Sequence, residues 1–200
     1  MTKIFAHRGA SAYAPENTME AFELAAKQGA DGIELDVHVT KDGEVEVTHD
    51  EKIERVSNGS GFVKDMTLRE LKRLSFHNHM ESYVGAGIPT LREVLEFVKT
   101  TTMAVNIELK TGLYWYPNIE EKIVALVHEL GMQERIIYSS FNHHSIAKLK
   151  EIDSAAETAW LFSDVILNVE QYAKANGVEG LHPAVYHMYM SDFMKRWNES

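Results

Sequence analysis

The sequence predicts an α/β fold built around a mainly parallel sheet. Strand-like segments alternate with amphipathic helical segments, and each strand–helix pair takes about thirty residues. Seven strands are countable, one fewer than a closed (β/α)₈ barrel contains, and only one short helical segment follows residue 183. The predicted architecture is therefore a TIM-barrel-type domain that lacks its final strand–helix unit and leaves an open seam beside the first strand.

The composition indicates a single domain covering residues 1–200. A hydrophobic fraction of 44% is enough for one sizeable core. The formal net charge of −10 at pH 7 argues against nucleic acid or an anionic membrane as the main partner, because both bind basic surfaces. The chain has no cysteine, no apolar run near the ~20 residues that span a bilayer, and no room for a signal peptide, so we expect a cytoplasmic protein without stable membrane insertion.

The first strand–helix unit carries two polar side chains at its turning point. A short apolar strand, 4–7, ends in His7 and Arg8, and the chain then breaks at Gly9. A helix with apolar residues at helical spacing begins near Met19. The imidazole and the guanidinium are therefore expected at the carboxyl end of the strand.

The second strand, 33–37, alternates strictly between apolar and acidic residues. Its apolar residues share one face, and Glu34 and Asp36 share the other. In a barrel the apolar face packs on the helices, so both carboxylates point inward and need compensation. After a turn, 44–50 reads as a strand with His49 at its end, which either pairs as a hairpin or returns parallel. Both arrangements leave His49 at the same rim.

The rest of the chain repeats the strand–helix alternation after an insertion. Residues 51–89, called the excursion here, contain one short helix with a Thr67 cap and extend over the rim. The strand that ends at Leu109 places Glu108 and Lys110 on one face by period two. Further strands are predicted at 103–109, 135–140, 157–162 and 178–182, with helices from residue 90 and at 118–130, 142–152, 168–176 and 192–197.

The strand ends together form one chemical constellation. Its members are His7, Arg8, Glu34, Asp36, His49, Glu108 and Lys110. Carboxylates from separate strands are the ligands of a hard divalent cation such as Mg²⁺ or Ca²⁺. Two imidazoles can take and return a proton near neutral pH, and the two cationic side chains can neutralise a phosphate.

These motifs together resemble the glycerophosphodiester phosphodiesterase family. The matching segments, in order, are His7-Arg8-Gly9, Pro15-Glu16-Asn17-Thr18, Gly29-Ala30-Asp31, Glu34-Leu35-Asp36-Val37, Thr40-Lys41-Asp42-Gly43, His49-Asp50, Pro89-Thr90-Leu91, Asn106-Ile107-Glu108-Leu109-Lys110, Ser139-Ser140-Phe141 and Leu181-His182-Pro183. The resemblance runs from Ile4 to about Pro183, and it ends before the further strand and last helix that family members have.

The resemblance implies a TIM barrel that hydrolyses glycerophosphodiesters to sn-glycerol 3-phosphate and an alcohol. By this resemblance, His7 and His49 are the catalytic acid/base pair, and Arg8 and Lys110 hold phosphate. The metal ligands are Glu34, Asp36 and Glu108. We also expect His182 and Phe141 to line the site.

Three alternatives stay open at this stage. One is a phosphodiesterase of the lysophospholipase D type, which needs an apolar groove that residues 76–83 could supply. Another is a non-catalytic protein that binds ligands at the retained rim. The third concerns assembly, because an open seam in the barrel invites self-association. The sequence does not select the alcohol group, Mg²⁺ or Ca²⁺, or the oligomeric state.

Overall fold

The computed structural model describes residues 2–190, and within them seven strands form one sheet. The strands are β1 (Phe5–His7), β2 (Gly32–Val39), β3 (Val45–Val47), β4 (Ala104–Leu109), β5 (Ile136–Ser140), β6 (Glu157–Phe162) and β7 (Gly180–Pro183). Six of these strands run parallel in the order β1-β2-β4-β5-β6-β7. The predicted parallel α/β architecture is thereby confirmed as a curled, incomplete barrel.

The short strand β3 lies outside the parallel order. It pairs antiparallel with the end of β2, where Val37 faces Val47 and Val39 faces Val45. The hairpin alternative is thus correct, because the turn between the two strands is too short for a crossover connection. Of the seven strands counted in the sequence, six therefore belong to the parallel barrel sheet within residues 2–190, and β3 is an addition to its rim.

Six α-helices follow the strands in the described part of the chain. They are α1 (Met19–Lys27), α2 (Leu68–Leu71), α3 (Leu91–Lys99), α4 (Ile119–Leu130), α5 (His143–Ile152) and α6 (Val169–Ala175). Thr67 and Thr90 cap α2 and α3 through complete capping boxes with Glu70 and Glu93. The helix predicted at 192–197 lies outside the described residues.

The main core lies between the outward face of the sheet and the helices. Ile33, Leu35 and Val37 of β2 are fully buried in one cluster with Phe22 of α1 and Leu95 of α3. Burying each such side chain contributes roughly 1.5–3 kcal/mol. Because the apolar residues of β2 face this layer, its acidic residues face the inside of the sheet, as the alternation predicts.

The excursion has a small core of its own. Its buried residues are Ile53, Val56, Val63, Leu71, Phe76 and Ile88. Phe76 is 3% exposed, so this side chain fills the core of the excursion and does not face an open groove. A separate core lets this segment hold a defined position, from which Arg55 donates to Glu16 in the loop after β1.

No helix among residues 2–190 combines the length and the apolar character that crossing a membrane requires.

Candidate active site

The register of the sheet brings the polar ends of three neighbouring strands together. β1, β2 and β4 lie side by side at one end of the strand order. His7 is the Cα partner of Glu34, and Asp36 is the Cα partner of Glu108. Since these strands are parallel, their carboxyl ends meet at one edge, where barrel proteins place their functional groups.

Three buried carboxylates form an acidic cluster at this edge. Oxygen atoms of Glu34, Asp36 and Glu108 all lie within 4.8 Å of one another. Burial, followed by the charge of Asp36, raises the pKa of Glu34 to about 8. The same two causes raise the pKa of Glu108. Three like charges held this close in a buried place require opposite charge nearby.

Two cationic side chains supply part of that charge. The Lys110 ammonium donates to Glu108 at 2.7 Å and lies 3.5 Å from Asp36. The Arg8 guanidinium lies 3.5 Å from Asp36 through Nε. Burial acts against the charge of Lys110, but the charges of Glu108 and Asp36 outweigh it and raise the pKa of this ammonium. Lys110 therefore stays charged inside the site.

The loop after β1 is strained so that it can reach the cluster. Arg8 and Asn17 adopt left-handed backbone conformations, with φ of 56° and 57°. Asparagine tolerates this region, whereas for arginine it costs on the order of 1 kcal/mol. In return, the Arg8 backbone N–H donates to Glu34 at 2.9 Å, and the Asn17 amide donates to Asp36 at 2.9 Å. In the sequence, Asn17 stands out only as part of a motif, and its contact with Asp36 is seen only in the structure.

The donor set of the acidic cluster fits a hard divalent cation. All three side chains offer carboxylate oxygen, the ligand that Mg²⁺ and Ca²⁺ prefer. Within residues 2–190, Asp36 Oδ1 and Asn17 Oδ1 are buried without a hydrogen-bond partner. Unsatisfied buried oxygens beside like-charged neighbours are costly, and a bound cation would offset that cost.

His49 is held from one side by a chain of charged groups. Its Nδ1–H donates to Asp50 at 2.5 Å, and Asp50 accepts from Arg55 at 2.6 Å. Arg55 also donates to both oxygens of Glu16, which accepts from Arg8 at 2.9 Å. Burial alone would raise the pKa of Asp50, but the hydrogen bonds from Arg55 and His49 outweigh it and lower the pKa to about 2.

This network was only partly visible in the sequence. The adjacency of His49 and Asp50 was a usable signal, because a carboxylate next to an imidazole is a common orienting group. Nothing in the local pattern linked Arg55 to Glu16, which lies 39 residues earlier in the chain.

His7 faces solvent more than any other member of the site. Its side chain is 69% exposed, and Nε2 lies 3.9 Å from Glu34. Burial of part of the ring, followed by the charge of Arg8, lowers the pKa of His7. The imidazole is therefore mostly neutral at neutral pH and able to accept a proton.

His182 and Phe141 lie further round the sheet. His182 is in β7, at the opposite end of the strand order from β1, and burial lowers its pKa. Phe141 follows β5 and is 52% exposed. Within the described residues, neither makes a hydrogen bond or ion pair with the acidic cluster, and their role as site lining stays a prediction.

The fold and the site define a class of protein. A parallel sheet curled into a partial barrel, with carboxylates, imidazoles and cations at the carboxyl ends of its strands, is the arrangement of an α/β-barrel enzyme. Residues 7–200 match the model of the glycerophosphoryl diester phosphodiesterase family. The chain belongs to this family.

Individual relatives agree with this assignment. The chain is 46% identical over 187 residues to a glycerophosphodiester phosphodiesterase from Bacillus altitudinis, an alignment that covers 92% of this chain and 76% of the relative. It is 43% identical over 188 residues to one from Caldanaerobacter subterraneus subsp. tengcongensis, covering 94% and 77%. A phosphodiesterase structure from Oleispira antarctica in complex with the product sn-glycerol-3-phosphate superposes with a TM-score of 0.83 at 28% identity, covering 98% of this chain and 81% of that one.

Proposed function

We propose that this chain hydrolyses glycerophosphodiesters to sn-glycerol 3-phosphate and an alcohol. The observation that carries the proposal is the acidic cluster, in which three buried carboxylates lie within 4.8 Å of one another beside two cationic side chains. The names of the relatives and the product in the Oleispira antarctica structure support the same reaction. In the net reaction, the bond between phosphorus and the alcohol oxygen is broken and one water molecule is consumed.

The proposed cofactor is one divalent cation, Mg²⁺ or Ca²⁺, held by Glu34, Asp36 and Glu108. When bound, such a cation would supply charge that stabilises the phosphoryl oxygens in the transition state and lowers the pKa of the attacking hydroxyl. The raised pKa values of Glu34 and Glu108 support this assignment. Burial and the negative charge of Asp36 cause them, and a bound cation would counteract both effects. Cation binding and ionisation of the cluster therefore favour each other.

Arg8 and Lys110 are the proposed phosphate-binding residues. Both already lie against Asp36, with contacts of 3.5 Å each, so their charges are directed into the site. A phosphodiester carries one negative charge, and the guanidinium offers a planar fork while the ammonium offers a point charge. These side chains would orient the phosphorus for attack.

His7 and His49 are the proposed acid/base pair. Because Nδ1–H of His49 donates to Asp50, its Nε2 is the atom left to exchange a proton with substrate. One imidazole would take the proton of the attacking hydroxyl, and the other would give a proton to the leaving alcohol oxygen. If the glycerol hydroxyl attacks, a cyclic phosphate forms and water then opens it. If water attacks directly, the products form in one step.

The test is a coupled assay for sn-glycerol 3-phosphate, run with EDTA and then with Mg²⁺ or Ca²⁺ added back. Glycerophosphocholine and lysophosphatidylcholine serve as paired substrates, and release of choline, which either substrate would yield, is measured beside sn-glycerol 3-phosphate to separate the proposed activity from the lysophospholipase D type. We expect cation-dependent release from glycerophosphocholine. Absence of release with either metal would contradict the proposal and favour a protein that only binds at the rim.

The chemical route has its own test. A single turnover in ¹⁸O-labelled water, with rapid quenching, detects a cyclic glycerophosphate if the glycerol hydroxyl attacks first. Labelled sn-glycerol 3-phosphate without that intermediate identifies direct attack by water. The cytoplasmic location, the alcohol group and self-association through the open seam stay predictions.

A further inference from the structure

His38 is a buried histidine outside the proposed catalytic set. It lies on β2, on the same face as Glu34 and Asp36 by period two, and its side chain is fully buried. Both ring nitrogens have partners. Nε2 lies 3.1 Å from the backbone carbonyl of His49, and Nδ1 lies 2.9 Å from the hydroxyl of Tyr116.

The chemistry of the partners sets the direction of both hydrogen bonds. A carbonyl oxygen can only accept, so Nε2 of His38 carries the hydrogen that it donates to His49. In a neutral ring Nδ1 then accepts, and the Tyr116 hydroxyl donates to it. The His38 ring is fully buried and has no carboxylate among its hydrogen-bond partners within residues 2–190, so the surroundings favour a neutral ring. The result is a hydrogen-bond relay in which Tyr116 donates to His38 and His38 donates to the backbone of His49.

The hydrogen-bond relay reaches His49 just beyond the end of the backbone pairing between β2 and β3. The pairing of β2 with β3 ends at Val47, and the last backbone bond in this stretch joins the Thr48 N–H to the carbonyl of Asp36. The carbonyl of His49 lies one residue beyond it. His38 therefore holds the backbone of His49, while Asp50 holds its ring.

Tyr116, at the other end of the hydrogen-bond relay, is held in the main core. Tyr116 is 8% exposed and belongs to the main core, in the connection between β4 and α4. Its ring meets the imidazole of His38 edge to face, with 5.8 Å between the centroids. A rigid donor in the core thus fixes the tautomer of His38, and His38 fixes the backbone beside the site.

We propose that His38 and Tyr116 are positioning residues that hold His49 in its reactive place. The inference rests on the proposed function, in which His49 is one of the acid/base pair. The two residues are separated by 78 positions in the chain. Within residues 2–190, neither makes a hydrogen bond to the acidic cluster. A small displacement of a catalytic group lowers turnover without changing how substrate or metal binds.

The experiment is a double-mutant cycle with Tyr116→Phe and His49→Ala, measured by release of sn-glycerol 3-phosphate. Tyr116→Phe is expected to lower kcat by about 10- to 100-fold with KM and apparent metal affinity unchanged. In the His49→Ala background, the same substitution should cause no further loss. Tyr114→Phe is the matched control, because its hydroxyl makes no hydrogen bond within residues 2–190, and its kcat should stay at the wild-type value.

Two further measurements separate positioning from general damage. His38→Gln keeps a donor for the His49 carbonyl and should retain more activity than His38→Leu. Long-range ¹H–¹⁵N spectra of histidine-labelled protein, assigned with His38→Gln, should show the Nε2–H tautomer of His38 and a change in the His49 ring signals in Tyr116→Phe. The spectra need no turnover, so they test the inference even if the wild type releases no product.

Three results would overturn the inference. The first is a wild-type kcat in Tyr116→Phe. The second is an equal loss from Tyr116→Phe in the wild-type and His49→Ala backgrounds, which indicates general loosening. The third is the Nδ1–H tautomer at His38. Inactive wild-type protein together with the expected spectra would instead contradict the proposed function and support the hydrogen-bond chain.

Discussion

The acidic cluster and Glu46 are two environments for buried carboxylates in one chain, and they differ in their neighbours. Glu34 and Glu46 both have a pKa raised to about 8, and burial is the largest cause for each. Glu34 lies beside two more carboxylates and accepts from the Arg8 backbone. Glu46 is fully buried on β3, and both of its oxygens lack a hydrogen-bond partner in the part of the chain described.

The charged groups around Glu46 are few. Its cross-strand neighbour is His38. Burial raises the pKa of Glu46 and the charge of Lys72 acts against it, but Lys72 is itself paired with Glu93 at 2.6 Å. Burial raises the pKa of Tyr116, and the charge that Glu46 carries above its own pKa raises it further. A raised pKa therefore does not identify a functional carboxylate by itself. Convergence of several carboxylates with fixed cations distinguishes the cluster, whereas Glu46 is an isolated acid that burial keeps protonated.

The largest expected difference between the two environments is in catalysis. Asp36→Asn removes one charge from the centre of the cluster, and we expect hydrolysis of glycerophosphocholine to fall by about 10⁴-fold or more. Glu46→Gln replaces a buried carboxyl outside the cluster and is expected to keep kcat at the wild-type value. The coupled assay for sn-glycerol 3-phosphate measures both. Equal losses in the two variants would remove the distinction.

The imidazoles give the next effect in size. His7→Ala and His49→Ala are each expected to lower kcat by about 10²–10⁴-fold, because general acid–base groups contribute that much. His144→Ala is the control, since His144 lies on α5 with its ring 5.6 Å from Trp115 and is outside the proposed catalytic set. Near-normal turnover of His7→Ala or His49→Ala would contradict its assignment.

Cation binding should also appear as stability. With Mg²⁺ or Ca²⁺ at about 100 times its Kd, the free energy of unfolding is expected to rise by about 2.7 kcal/mol, because the ion binds the folded chain only. The rise should disappear in Asp36→Asn and persist in Glu46→Gln. Thermal unfolding with and without the metal measures it. A similar rise in Asp36→Asn would indicate that the ion binds elsewhere.

The expected effect that leaves turnover unchanged is the cost of burying Glu46. A carboxyl whose pKa is raised on folding destabilises the protein increasingly as pH rises from the unfolded pKa, about 4.3, to the folded value. Glu46→Met removes the group, so the pH-dependent part of its gain in unfolding free energy should be near zero at about pH 4 and approach about 5 kcal/mol at about pH 8.

Chemical denaturation of the wild type and Glu46→Met across this pH range tests the prediction. Glu46→Gln is the companion variant, because it separates loss of the charge from loss of the polar atoms. A pH-independent difference between the wild type and Glu46→Met would show that Glu46 does not change protonation on folding.

Features set by local pattern were predicted well. The alternation in β2 assigns Glu34 and Asp36 to one face, and the observed burial of Ile33 and Leu35 on the other face agrees. The capping box that begins at Thr67 is present as the spacing indicates. Such features depend on the few residues around each position, which the sequence displays directly.

Features set by pairing between distant segments were not predictable. The sequence left the pairing of 44–50 open, and within residues 2–190 the parallel sheet has six strands where seven strands were counted in the sequence. The bidentate contact of Arg55 with Glu16 and the hydrogen bond of Tyr116 to His38 join segments without a shared local pattern.

By itself, the amino-acid sequence determined the α/β alternation, the faces of the strands and the residue types at the strand ends, because periodicity and side-chain chemistry are local properties. The tertiary structure alone decided which strand lies beside which, how close the three carboxylates come, and which groups hold His49. The physical reason is that register and distance arise from packing between segments tens of residues apart, where burial and hydrogen bonding select one arrangement among several that the local pattern permits.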